Sequence, residues 1–132
     1  MQCMLDTDTC IYVIKRAPGI KPKVALENCC VSTVVLGELE YGVANSHPNR
    51  REQNEEALLD FLCCIHILPV TDVVAKWYGT VGTQSGLRKR PIGSNDMWIA
   101  AHSLAEELTL ITNNIREFKR VSGLLVDTWM TK

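Results

Sequence analysis

Met1-Gln2-Cys3-Met4-Leu5, followed at once by Asp6-Thr7-Asp8-Thr9, is the stretch that decides the fold. Met1 to Leu5 is short, apolar at its end and bounded by polar residues, which predicts a buried strand. Thr7-Asp8-Thr9 then offers N-caps for a helix through Tyr12 and Lys15 that ends before Pro18-Gly19. The same sequence of strand, polar junction and helix recurs along the chain. Asn28 to Val31 predicts a second strand, with Ser32 or Thr33 capping a helix to about Ala44. Pro48 to Cys64 predicts an amphipathic helix with Leu58, Leu59 and Leu62 inward. Ile65 to Val70 predicts a third strand, followed from Thr71 by a helix through Val74, Trp77 and Val81 with a break near Gly86. Asn95 to Glu107 reads as a helix, Leu108 to Ile111 as a fourth strand, Ile115 to Val121 as a short helix and Leu124 to Thr128 as a fifth strand. Strands alternating with longer helices predict an α/β fold of three layers, α/β/α, around a central, mainly parallel sheet of four to five strands.

Composition limits what the chain can be. Its 132 residues read as a single domain, 1–132, large enough to bury roughly two thirds of its unfolded surface. With 46% apolar and 22% charged residues it is too apolar for disorder, and it carries no repeat or low-complexity tract. Fourteen basic and fifteen acidic residues nearly cancel, so any polyanion must be held by local patches. The six cysteines include the vicinal pairs Cys29-Cys30 and Cys63-Cys64 and no CxxC spacing, which argues against zinc. The opening residues carry no basic, apolar and small-residue leader pattern. The expectation is a cytoplasmic protein whose thiols are reduced and mostly act as small core hydrophobes. No apolar run approaches the ~20 residues of a membrane-spanning helix.

Sites in parallel sheets gather at the carboxyl ends of strands, and the acids of this chain are placed accordingly. Asp6, Ser32 and Asn114 directly follow predicted strands. Glu38 falls on the inward stripe of its helix beside Val35, Leu39 and Gly42, whereas Glu40 points away. Asp96 shares a face with Ile99, Ala100 and Ser103. A carboxylate on an apolar edge needs a partner, and converging carboxylates repel unless a cation lies between them. Oxygen-only donors suit Mg²⁺ or Mn²⁺. Each residue also has a plainer explanation: Asp6 or Asp8 as a helix cap, Asp96 as an acid favoured in a first turn, Asn113-Asn114 as a turn. His102 reads as a partly buried polar residue rather than a catalyst.

The joint wording of four segments goes further. Met4-Leu5-Asp6-Thr7-Asp8, Val34 to Gly42 (VVLGELEYG), Pro91 to His102 (PIGSNDMWIAAH) and Leu110 to Phe118 (LITNNIREF) together resemble the PIN-domain nucleases, and within them the VapC toxins of bacterial toxin–antitoxin pairs. That resemblance covers nearly the whole chain in order. It implies that Asp6, Glu38 and Asp96 are acidic metal-site residues and that Asn114 occupies a fourth position, often Asp in the family, where it removes one charge. Asp8, Thr7, Ser32 and Thr112 are expected to support the site, the last three by hydrogen bonds to the carboxylates. The implied activity is endoribonuclease cleavage with metal-activated water, leaving a 5′-phosphate and a 3′-hydroxyl, with initiator tRNA cut in its anticodon loop as the substrate of the nearest subgroup. The implied partners are a VapB-type antitoxin, a second toxin copy, and promoter DNA reached through the antitoxin complex. Arg88, Lys89 and Arg90, with Arg116, Lys119 and Arg120, flank site segments and are RNA-binding candidates.

Three other readings compete. A strand ending in Met4-Leu5-Asp6-Thr7-Asp8-Thr9 fits the DxDxT opening of haloacid-dehalogenase-like phosphatases, yet Asn113-Asn114 stand where a late acidic pair is needed. A PIN domain that processes ribosomal or messenger RNA is the second. A non-catalytic binding module that keeps its carboxylates as remnants is the third.

Overall fold

The apolar run at the start of the chain forms the central strand, β1 (Cys3–Leu5), of a five-stranded sheet. The computed structural model describes residues 1–131, the side chain of Ser85 excepted. After β1 come α1 (Thr7–Lys15), a 3₁₀ turn (Leu26–Asn28), β2 (Cys29–Ser32), α2 (Thr33–Ala44), α3 (Pro48–Leu62) and β3 (His66–Leu68). Then follow α4 (Asp72–Gly82), α5 (Ser85–Lys89), α6 (Ser94–Ala105), β4 (Thr109–Ile111), α7 (Ile115–Phe118) and β5 (Val126–Asp127). The strand order is β3-β2-β1-β4-β5 and every pairing is parallel. Met4 pairs with Cys30 on one side and Leu110 on the other, and all three are fully buried. A strand covered on both faces keeps only apolar side chains, which is why β1 reads as an unbroken run.

The chain lays β2 and β3 to one side of β1, then crosses back to add β4 and β5 on the other. Right-handed crossovers in opposite directions place the two sets of helices on opposite faces, giving three layers. The reversal between β1 and β4 opens a crevice at the carboxyl ends of these strands. Asp6 and Thr112 stand at its two edges, each the residue directly after its strand.

Several elements depart from the sequence expectation. The cap of α1 is Asp6, one of the two acids read as a possible cap, rather than Thr7, Asp8 or Thr9, because its side chain reaches the Thr9 N–H. The third strand is only His66–Leu68, at the edge of the sheet, with His66 and Ile67 exposed. In α3 it is Phe61, with Leu58, that is buried, and Leu59 is 57% exposed. The break expected near Gly86 falls at Thr83, whose hydroxyl donates to the Thr80 carbonyl at 2.8 Å, while Gly86 lies inside α5. Among the described residues no helix is long and apolar enough to cross a membrane.

Candidate metal centre

Asp6 is held before any ligand arrives. Its N–H donates to the Ile111 carbonyl at 3.1 Å, which fixes the end of β1 against the end of β4. Its Oδ1 accepts the Thr9 N–H at 2.9 Å and its Oδ2 accepts the Thr112 hydroxyl at 2.6 Å. Asp6 is 7% exposed, so burial pushes its carboxyl above the usual range; the Thr112 and Thr9 hydrogen bonds oppose that, and the charge of Asp8 adds to it. Capping and the site position are thus one geometry: the oxygen that starts α1 belongs to the carboxylate at the crevice.

The remaining acids approach from two helices. Glu38, half-buried on α2, accepts the Thr7 hydroxyl at 2.6 Å from the first residue of α1. Asp96, half-buried in the first turn of α6, is raised by burial and then by the charges of Asp6, Glu38, Asp8 and Glu117. Those four acids come from three separate segments, so the fold focuses negative field on one spot. Glu117 was not singled out from the sequence. It lies one helical turn after Asn114, a spacing that could have flagged it, but among Arg116, Lys119 and Arg120 it looks like ordinary surface. Asn114 caps α7 with its side chain exposed, and its N–H donates to Thr112 Oγ1 at 2.8 Å. Asp8 is exposed.

The donor chemistry fits a hard divalent cation. Burial first, and neighbouring acids after it, push Asp6 and Asp96 toward their neutral forms, and the side chains proposed to face the ion, Asp6, Glu38 and Asp96, offer carboxylate oxygen. Among the described residues no three His, Cys, Asp or Glu side chains already stand at joint coordinating distance. Mg²⁺ commonly keeps several waters and takes only one or two carboxylates directly, so a looser cluster suits it better than a closed cage. Of these acids Glu38 lines an open cleft of about 650 Å³, together with Thr7, Asn95, Tyr41 and Trp98 among others.

Ser32 departs from the hydrogen bond to a carboxylate expected of it. Ser32 Oγ accepts the Val34 N–H at 3.1 Å, capping α2, and pairs with His102 Nδ1 at 2.8 Å. It joins α2 to α6, and its hydroxyl is not directed at a carboxylate. His102 is fully buried rather than partly so, and its other ring nitrogen has no hydrogen-bond partner. Arg120 spends its guanidinium on Glu117, at 2.9 Å, and on the Gly86 and Arg90 carbonyls. Arg88, Lys89, Arg90, Arg116 and Lys119 remain exposed.

Residues 3–124 match the PIN domain family, and the chain belongs to it. Ribonuclease VapC2 of Rickettsia felis is 37% identical over 131 residues, covering 96% of each chain. The tRNA(fMet)-specific endonuclease VapC of Shigella flexneri is 34% identical over 132 residues, covering 98% of each. Among solved structures, that of VapBC2 from Rickettsia felis bound to a DNA fragment from their promoter superposes with a TM-score of 0.86 at 36% identity, over 98% of this chain and 99% of that one. The all-parallel sheet flanked by helices is that of these structures.

Proposed function

We propose that residues 1–132 act as one PIN domain, an Mg²⁺-dependent endoribonuclease toxin of a type II toxin–antitoxin system. What carries this is the pair of short hydrogen bonds that fix the first two acids, Thr112 on Asp6 and Thr7 on Glu38, each at 2.6 Å, with Asp96 near enough to feel both charges, in a chain 37% identical to a VapC ribonuclease. Asp6, Glu38 and Asp96 would hold the ion, with Asn114 and Glu117 at its margin. When bound, Mg²⁺ supplies positive charge at the scissile phosphate and lowers the pKa of a water. The chain's own residues do the rest. Thr112 and the Thr9 amide fix both oxygens of Asp6, Thr7 orients Glu38, and the exposed basic residues hold flanking phosphates. Initiator tRNA is the substrate we propose, by likeness to the Shigella relative.

A toxin of this kind needs silencing in the cell, and the fold offers a place for it. An apolar groove of about 580 Å³ runs between α1, α2 and α3, lined by Ile11, Ile14, Leu39, Val43, Ala57 and Leu58, and suits the apolar face of a VapB-type segment. An antitoxin Arg would pair bidentately with the acids. Promoter DNA is reached through that complex, a homodimer is the assembly unit, and the setting is the cytoplasm. The DxDxT likeness of the opening has a simpler origin, since Asp6 caps α1 and Thr9 donates its hydroxyl to the Ile111 carbonyl at 3.3 Å.

The test incubates antitoxin-free protein with total RNA and with purified initiator tRNA, with and without Mg²⁺, beside Asp6→Asn and Asp96→Asn. Discrete cleavage that needs the metal and disappears in both variants is the expected result. Folded protein that binds Mg²⁺ yet leaves both RNAs intact overturns the proposal.

A further inference from the structure

Arg120 is the one residue of the basic set whose charge is already committed. Its Nη1 donates to Glu117 Oε2 at 2.9 Å, and its Nη2 donates to the Gly86 carbonyl at 3.1 Å and to the Arg90 carbonyl. Its side chain is 19% exposed, against 43% for Glu117. We infer that Arg120 is a positioning residue for RNA binding, a brace that holds the segment Arg88-Lys89-Arg90 against α7 without itself contacting RNA. This rests on the ribonuclease reading.

The segment needs such a brace. At five residues α5 is too short to be stable alone, and its end is closed by the Arg90 N–H, which donates to the Gly86 carbonyl at 3.2 Å. Leu87, 2% exposed, anchors it from below. Arg120 joins the Arg90 N–H on the Gly86 carbonyl and takes up the Arg90 carbonyl just beyond the helix, and a second tie lies alongside, where the Ser122 N–H donates to Gln84 Oε1 at 3.0 Å. Residues 84–90 are thus fastened at both ends to the stretch just after α7. Carbonyls face the brace and three cationic side chains face solvent. Arg90 is six residues before Asp96, with Pro91-Ile92-Gly93 between, so the position of this segment relative to the acids is set over a short distance.

The chemistry of the brace is specific to arginine. A guanidinium donates in several directions from one rigid plane, whereas an ammonium on a flexible stem cannot span two carbonyls and a carboxylate in the same way. A phosphate contact, in contrast, is largely served by charge alone. Lysine at position 120 therefore separates the two roles.

The experiment measures binding of fluorescein-labelled initiator tRNA by anisotropy, in an Asp96→Asn background that does not cleave. Variants are Arg120→Gln, Arg120→Lys, the pair Arg88→Ala with Lys89→Ala, and each Arg120 change combined with that pair. Arg120→Gln and Arg120→Lys are each expected to weaken binding roughly tenfold, and to add less than about twofold once the pair is gone. Hydrogen exchange at residues 86–93 is expected to quicken in both. Near-normal affinity in Arg120→Lys, losses that multiply with the pair, or unchanged exchange overturns the inference while leaving the nuclease reading standing. No binding by the Asp96→Asn parent overturns both. If circular dichroism shows Arg120→Gln unfolded, Arg120→Lys decides the matter alone.

Discussion

At the scale of single residues, Thr112 joins the two sides of the crevice through one oxygen, which donates to Asp6 Oδ2 and accepts from the Asn114 N–H. Thr112→Val keeps the shape and removes both bonds. Each buried partner left unsatisfied costs about 1–3 kcal/mol, so urea unfolding is expected to show a loss of that order. Mg²⁺ affinity is expected to fall roughly tenfold or more by calorimetric titration. Asp96→Asn works in the opposite direction on the metal-free protein. Asp6 and Asp96 have raised folded pKa values, so their contribution to stability is full below the ordinary carboxylate value of 3.8 and is lost as pH rises through the raised values. Ionising either acid in the metal-free fold works against its surroundings. Asp96→Asn is therefore expected to raise the melting temperature of metal-free protein by a few degrees while abolishing cleavage, and to blunt the stabilisation that Mg²⁺ gives the wild type. A lower melting temperature would mean that Asp96 is held by partners rather than repelled. Asp6 and Asp96 stand out in the sequence because they sit at element junctions, and Glu38 because it sits on an apolar stripe. The Ser32 hydroxyl could not be followed, since it is claimed by His102, 70 positions away.

Between elements, that same pair decides how the helices carrying the acids sit. Ser32 caps α2, which bears Glu38, and His102 lies on α6, which bears Asp96. Ser32→Ala removes a cap worth about 1 kcal/mol and leaves a buried imidazole nitrogen unpaired for about 1–3 more, so a loss near 3 kcal/mol in chemical denaturation is expected. Burial lowers the His102 pKa, with the charge of Glu106 opposing it. A lowered histidine stabilises fully above its unfolded value of 6.5 and progressively less as pH falls from there toward the folded value. Wild-type stability is thus expected to decline between pH 7 and pH 5 more steeply than that of His102→Asn; parallel curves would remove His102 from the account. Element types were legible because apolar runs and helical stripes differ in period, and all five strands and the long helices fall where those periods change. Boundaries were less so. The hydroxyl that moves the break to Thr83 and the rotation that buries Phe61 rather than Leu59 are tertiary choices, invisible to local patterns.

For the whole molecule, the strand order is what brings the scattered strand-to-helix junctions together. Sequence places Asp6 and Asn114 after strands but says nothing of which strands are neighbours. The pairing of β1 with β4 at Leu5 and Ile111 brings the two junctions together. The same sheet sorts the cysteines. Cys3, Cys29 and Cys30 lie in paired strands and Cys10 packs beneath them, all buried, whereas Cys63 and Cys64 are exposed after α3. Burial pushes the Cys29 and Cys30 thiols up to about 12, and nearby thiols add to it, so neither forms thiolate at neutral pH. Ellman's reagent is therefore expected to titrate two thiols rapidly in the native protein and six in guanidinium without reductant, since all six are free. The four slow thiols report the closure of the core, because three lie in the paired strands β1 and β2 and the fourth is buried on α1. If Thr112→Val or Ser32→Ala loosens the junctions of the site and not the sheet, the count of fast thiols stays at two. A third fast thiol in either variant would mean that the crevice and the core open as one cooperative unit, and that the metal-site acids cannot relax without unpairing the strands that carry them.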